Sequence, residues 1–466
     1  MRIKVQKFGG TSMQDADAMK RAAQIVASTS GSRLVVLSAA SGITNLLLKV
    51  VQLAAEGGGE EASSILMTVH DRHCRICEEL LSASALSATI LQVKELCTRL
   101  SVYIHGISLL REYTAESSDT VVAYGELLST LIFSNYLQSA GCTATLLDAR
   151  TVLRTNSEFG NAKPIPDNTQ EQCNTTLSFH GSSGDIIVTQ GFIGSDVNGR
   201  TTTLGRGGSD YTAAILGAAV KADEIQIWTD VSGVYSADPN HVPEAHSIPH
   251  LTFEEARQLA YFGAKVLHPE TILPAIQSDI PVRVLNSFQP EHPGTLITAQ
   301  APAGQIPHIR AVTVKFHCLL LTWETKLSGN ISGGISTSTL VSILETAGLP
   351  VLLFAGGERY VSAVVDETSS SYTQAVLSTL QLTNVIITEC CILSAVGPEV
   401  GVSKHSNLGC IAKFAEIAQR FDAFSVLTSV TGTSCLTAIL PRVFADAALS
   451  AVHSLVNFES VHNPNI

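Results

Sequence analysis

A chain of 466 residues with 45% hydrophobic side chains holds enough apolar material for two or three cored domains without disulfides or structural metals. Its formal net charge of −12 and its lack of a long Lys/Arg cluster argue against nucleic acid as a partner. No apolar run approaches the ~20 residues that cross a bilayer, so no membrane partner is expected.

The opening Met1-Arg2-Ile3-Lys4-Val5-Gln6-Lys7-Phe8 alternates charged and apolar side chains and lacks the continuous apolar stretch of a signal peptide. It reads as a first strand, and a cytoplasmic protein is expected. Further strands are predicted at 33–38, 186–190, 223–229 and 281–285, with helices at 15–28, 43–55, 85–112, 118–139 and 210–219. This alternation predicts α/β architecture over the first part of the chain. Around residue 290 turn formers gather, in Gln289-Pro290-Glu291-His292-Pro293-Gly294 and again in Ala301-Pro302-Ala303-Gly304, and read as a linker. Beyond it, strands at 312–321, 351–354, 360–365, 386–396, 425–429 and 435–440 alternate with helices at 336–347, 369–381, 406–419 and 443–457. Two rounds of strand–helix–strand–strand–helix predict two small α+β modules of about 70 residues each.

The ten cysteines are scattered, several in apolar segments as at Cys318 and Cys435, and read as reduced core residues. His70, His73, Cys74 and Cys77 would share one helix face. Four ligands on one straight helix cannot readily enclose an ion tetrahedrally, so no metal is expected there.

The common phosphate signatures are absent: there is no G-x-x-x-x-G-K-[ST] and no G-x-G-x-x-G. Small-residue turns after strands stand instead. In Lys7-Phe8-Gly9-Gly10-Thr11-Ser12 two glycines let backbone N–H groups approach a phosphate, and Lys7 adds mobile positive charge. Ser38-Ala39-Ala40-Ser41-Gly42-Ile43-Thr44-Asn45 is a second strand-to-helix turn, rich in hydroxyls. In Thr203-Leu204-Gly205-Arg206-Gly207-Gly208-Ser209-Asp210, three glycines flank an arginine whose planar fork suits a carboxylate or phosphate. A helix cap at Asp210 alone would need neither. Trp228-Thr229-Asp230-Val231-Ser232-Gly233-Val234-Tyr235 leaves a strand with polar and aromatic groups suited to a nucleotide, and Gly263-Ala264-Lys265 adds a lysine at another turn.

In this order and spacing, KFGGTS, SAASGITNLL, GELLST, QGFIGS, TTTLGRGGSDYTAA, IWTDVSGVYSADP and FGAKVLHP closely resemble the aspartokinases of the amino-acid kinase family, most of all the monofunctional, lysine-regulated type. The resemblance implies a three-layer sandwich with an open, mainly parallel sheet over 1–297. A linker at 298–308 and two ferredoxin-like ACT modules at 309–385 and 386–466 follow, with strands exchanged between the modules. It implies ATP-dependent phosphorylation of the L-aspartate β-carboxylate, with Mg²⁺ carried by ATP, and feeds lysine/diaminopimelate, threonine and methionine biosynthesis. By the same resemblance Lys7 and Asp210 are catalytic. Thr44, Glu126, Arg206 and Ser209 hold aspartate. Gly9, Gly10, Thr11, Ser12, Gly208, Thr229, Asp230, Tyr235 and Lys265 hold the nucleotide and its phosphates. An amino-acid effector at the ACT modules and a homodimer or higher homo-oligomer are also implied. Two departures stand out. Val351-Leu352-Leu353-Phe354-Ala355-Gly356-Gly357 offers almost no side-chain polarity where relatives place effector-binding groups, and Asn240 stands where many relatives have arginine.

Overall fold

Strand β1 (Ile3–Phe8) lies in the middle of an eight-stranded sheet and is paired in parallel on both sides. The computed structural model describes residues 2–177, 184–264, 269–300, 308–324, 337–356, 360–366, 370–379, 385–398, 400, 408–428 and 434–456. They form two compact units. The first comprises Met1–Val234, Ser247–Phe253 and Val266–Pro302; the second comprises Tyr235–His246, Glu254–Lys265 and Ala303–Ile466.

In the first unit the strands are β1, β2 (Ser32–Leu37), β3 (Ala144–Leu147), β4 (Ile186–Gln190), β5 (Ile193–Ser195), β6 (Thr201–Thr203), β7 (Glu224–Thr229), β8 (His250–Thr252), β9 (Val282–Asn286) and β10 (Thr295–Thr298). The main sheet runs β3-β4-β2-β1-β7-β9-β10-β8, parallel except for the β9/β10 pair, and β5 and β6 make a separate antiparallel ribbon. Every residue of β2 is buried, as expected of a strand covered on both faces. Because β1 pairs with β2 on one side and β7 on the other, the chain reverses its direction of strand addition at β1. Phe8 registers with both Leu37 and Trp228, so the turns after all three strands emerge side by side. Open parallel sheets bind ligands at such a switch point, outside the carboxyl ends of the strands.

The helices follow local chemistry. Asp15 caps Ala16–Ser28 by accepting from Ala18 N at 2.8 Å. Ile43–Glu56 is bounded by Gly42 and Gly57, both at positive φ. The helix predicted over 118–139 is two helices, Ala115–Val122 and Tyr124–Ser139, meeting at Ala123. The first starts at a Thr114/Ser117 capping box. Gly59–Leu80 is a helix, as the spacing of His70, His73, Cys74 and Cys77 supposed. His73 is buried and donates from Nδ1 to Val69 O at 2.7 Å; burial lowers its pKa to about 4. Among the described residues no group of three His, Cys, Asp or Glu is placed to hold a metal.

In the second unit β11 (Ala311–Glu324), β12 (Val351–Gly356), β13 (Tyr360–Asp366), β14 (Val385–Val396), β15 (Ser425–Thr428) and β16 (Cys435–Pro441) form one antiparallel sheet, ordered β12-β13-β11-β14-β16-β15. The long β11 pairs with β13 along one edge and β14 along the other, so both halves of the C-terminal region share a sheet. One half packs Trp323, Leu340, Leu344 and Val361 in its core. The other packs Leu393, Phe414, Ala438 and Leu449, and with them Ala237 and Val242 from the early segment Tyr235–His246. That segment is bonded in place: Val312 N donates to Ser236 O at 2.7 Å, and Ser236 Oγ lies 2.9 Å from His453 Nε2.

Candidate active site

The turns after β1, β2 and β7 and the start of the helix Gly208–Ala219 line an open cavity of about 530 Å³. Lys7, at the end of β1, is only 9% exposed. Its Nζ lies 2.7 Å from Asp210 Oδ1. A buried ammonium is retained when an opposite charge meets it, and this pair joins β1 to the helix that carries Asp210. Gly9 N donates to Trp228 O at 3.2 Å and Ser41 N to Gly10 O at 3.0 Å, so the first turn is bonded to both neighbours. A Cβ on Gly10 would stand 3.1 Å from Ala39 O, a tight contact that would press the two turns apart by a few tenths of an ångström.

The Gly205-Arg206-Gly207 turn needs its glycines for conformation: φ is +74° at Gly205 and +71° at Gly207. Behind it lies Asp119, buried, which accepts from Gly160 N and Thr203 N at 2.9 Å and from Thr203 Oγ1 at 2.8 Å. Burial raises its pKa even though these three bonds favour the charged form. Arg206 is exposed at the tip of the turn, while Gly205, Gly207, Gly208, Ser209 and Asp210 line the cavity.

Glu126 sits in the first turn of Tyr124–Ser139 and is 2% exposed. Gly125 lets the helix approach the second turn closely, since a Cβ there would fall 2.8 Å from Ala39 Cβ. Glu126 Oε1 accepts from Ala39 N at 3.1 Å; Oε2 is buried and has no hydrogen-bond partner among the described residues. Burial pushes this carboxyl up to about 8, opposed by the Ala39 bond. An acid so placed on a cavity wall is set to ionise when a cation arrives.

Of the residues singled out in the sequence, Lys7, Gly9, Gly10, Thr11, Thr44, Glu126, Gly208, Ser209, Asp210, Thr229 and Asp230 come together on the walls. Ser12 does not: it is buried, and its Oγ donates to Ser287 Oγ at 2.9 Å, so it braces the turn instead of facing the cavity. Tyr235 belongs to the second unit, and Lys265 lies outside the described residues. Two wall or support residues outside the quoted strand-to-helix turns were given no role from the sequence: Phe192 lines the cavity, and Asp119 shapes the arginine turn. Phe192 has φ +67°, held by a bond from its N–H to Thr212 Oγ1 at 3.0 Å. A bulky residue in this region is uncommon and marks a constrained site.

The profile of the amino acid kinase family matches residues 2–286. The chain is 38% identical over 407 residues to lysine-sensitive aspartokinase 3 of Escherichia coli K12, covering 87% of each chain. It is 36% identical over 367 residues to the chloroplastic aspartokinase 2 of Arabidopsis thaliana, covering 78% of this chain and 66% of that one. The crystal structure of E. coli aspartokinase III with aspartate and ADP matches with a TM-score of 0.82 at 34% identity, covering 98% of this chain and all 100% of that one. The structure of the same enzyme with lysine and aspartate matches at 0.80, also at 34% identity, covering 97% and 99%. The chain belongs to the amino acid kinase family and, within it, to the aspartokinases.

Proposed function

We propose that this chain transfers the γ-phosphoryl group of ATP to the β-carboxylate of L-aspartate, giving 4-phospho-L-aspartate. The observation that carries this reading is the convergence, on one cavity, of the Lys7–Asp210 pair, the glycine turns and the buried carboxyl of Glu126. Binding of aspartate and ADP by E. coli aspartokinase III supports it.

The β-carboxylate has an unperturbed pKa near ~3.9 and is already a nucleophile at neutral pH, so no general base is required. The difficulty is charge. Two unit charges at ~4 Å repel by about 4 kcal/mol at an effective dielectric of ~20, and the attacking anion must close on a polyanion. In this reading Lys7 neutralises the transferring phosphoryl oxygens, Asp210 fixes the Lys7 ammonium, and the amides of Gly9, Gly10 and Gly208 take the remaining oxygens. Arg206 holds the α-carboxylate of aspartate, Glu126 its ammonium, and Thr44 and Ser209 place the reacting end. Thr11, Thr229 and Asp230 contact the nucleotide. Mg²⁺ arriving with ATP supplies further neutralisation of the phosphates. Asp210 and Asp230 on the cavity wall supply carboxylate oxygens of the kind that would help hold Mg²⁺ beside those phosphates.

A hydroxamate assay with ATP and Mg²⁺ tests this, run with aspartate, glutamate, N-acetylglutamate and carbamate as acceptors. Aspartate should be preferred strongly; equal turnover of another acceptor, or none with aspartate, overturns the assignment. We also assign the second unit an amino-acid effector role, with homo-oligomeric assembly. β12 carries little side-chain polarity at Val351–Gly356, which supports an effector response different from ordinary lysine inhibition. Repeating the assay with each candidate amino acid checks it.

A further inference from the structure

Arg72 projects half-buried from the helix Gly59–Leu80 and takes no part in the roles above. Its guanidinium reaches backbone carbonyls in two separate turns. Nη1 donates to Ser41 O at 2.8 Å and Nη2 donates to Gln14 O at 2.9 Å. Gln14 closes the single 3₁₀ turn Gly10–Met13 that follows the first glycine pair. Ser41 belongs to the second turn, whose residues Ser38 to Asn45 supply much of one cavity wall.

We propose that Arg72 is a positioning residue for the transfer reaction: its fork sets the two turns against each other and aims the Gly42 N–H at the bound anions. The proposal rests on the kinase reading of the cavity. A trans peptide is planar, with its N–H directed opposite to its C=O. The Ser41 carbonyl is turned to Arg72, which is not among the residues that line the cavity, so the N–H of the same peptide unit, on Gly42, points away from Arg72. Gly42 itself lines the cavity. Its φ of +82° strains any side chain, yet a Cβ there would meet nothing within 4 Å. Glycine is therefore required by the orientation of this peptide and not by lack of space. The helix Ile43–Glu56 begins directly after it and adds its positive end.

Arginine suits this task and lysine does not. A planar fork holds two carbonyls at once in fixed directions, whereas an ammonium on a flexible stem holds one at a time. Both bonds are charge-assisted, and together they link the turn that binds phosphate to the turn that places the acceptor. Relative placement of two reactants governs the chemical step more than the binding of either alone.

The test uses the full chain with R72A and R72K. In R72A, kcat should fall about 10- to 100-fold while KM for ATP and for aspartate changes less than about 3-fold. R72K should lie between, and millimolar guanidinium should restore part of kcat in R72A but do nothing for the unmodified chain. In the ligand-free protein, amide exchange over residues 38–45 should quicken in R72A while the rest of the first unit stays protected. Unchanged kcat and unchanged exchange overturn the proposal. So does a uniform loss of protection with no guanidinium rescue, which makes Arg72 a packing residue only. If R72A does not fold, R72K carries both measurements. If the unmodified chain lacks aspartate-dependent turnover, the kinase reading falls, and exchange over 38–45, with its response to guanidinium, still decides whether Arg72 holds the turn.

Discussion

Lys7 Nζ and Asp210 Oδ1 meet at 2.7 Å, one from the end of the central strand and the other from the first turn of a helix far along the chain. The contact joins two walls of the cavity. In the proposed reaction it also holds a cation, paired on one side, where a phosphoryl group would develop charge. Replacing Lys7 or Asp210 with Ala should cut aspartate-dependent kcat by about 10²–10³-fold. D210N should fall nearly as far, since it keeps the shape and removes the charge. Steady-state kinetics beside a thermal unfolding curve check this; near-normal rates in both Ala variants would remove these residues from the mechanism.

Arg206 should act on one substrate only. R206A is expected to raise KM for aspartate about 10-fold or more, while KM for ATP stays within about 2-fold. R206K should recover little, because an ammonium cannot reproduce a bidentate fork. An ATP-specific defect would move Arg206 to the nucleotide side.

Glu126 makes a prediction about pH. Its carboxyl stands at about 8 in the folded chain against an ordinary 4.5, so between those values the folded state holds a proton that the unfolded state has lost. This contribution to stability is complete below about 4.5 and disappears as pH rises through about 8. An arriving ammonium reverses the preference, so aspartate binding near pH 7 should release a proton. Calorimetry in two buffers of different ionisation enthalpy measures it. Affinity should improve from pH 6 to pH 8, and E126Q should abolish both the release and the slope. A release that survives in E126Q assigns the proton elsewhere.

Gly205 tests the arginine turn. G205A must hold φ near +74° and bring Cβ to 2.9 Å from Asn161 Oδ1. Destabilisation of about 1–2 kcal/mol by denaturant unfolding is expected from the backbone alone. KM for aspartate should rise with it. A variant with unchanged stability would show that the turn relaxes freely.

Much of this was legible because parallel sheets write their sites locally. Lys7-Phe8-Gly9-Gly10 announces a strand followed by a turn that must admit something close, and Gly205-Arg206-Gly207 does the same with a charge in it. What escaped depends on partners distant in sequence. Ser12 reads like a phosphate ligand until Ser287 is placed beside it. Asp119 looks like any helix carboxylate, and only the approach of Gly160 and Thr203 gives it three donors. Nothing local distinguishes Phe192, whose left-handed backbone is imposed by its setting. The break at Ala123 has no proline to announce it and its nearest glycine, Gly125, already lies inside the second helix, and β5, β6 and β8 are three residues each, too short for a period to register. Val351–Phe354 and Ile386–Val396 were readable as strands, yet the pairing of β11 with both β13 and β14 was not, because register is a property of the assembled sheet.

The excursion Tyr235–His246 has a practical consequence for anyone dissecting this protein. Ala237 and Val242 have their apolar neighbours among Leu393, Phe414 and Leu449. A gene fragment stopped at the proline-rich stretch near 302 would thus encode a loop stripped of its interior, with greasy side chains left facing water. Recombinant pieces meant to isolate catalysis should be expected to aggregate unless those two positions are first made hydrophilic.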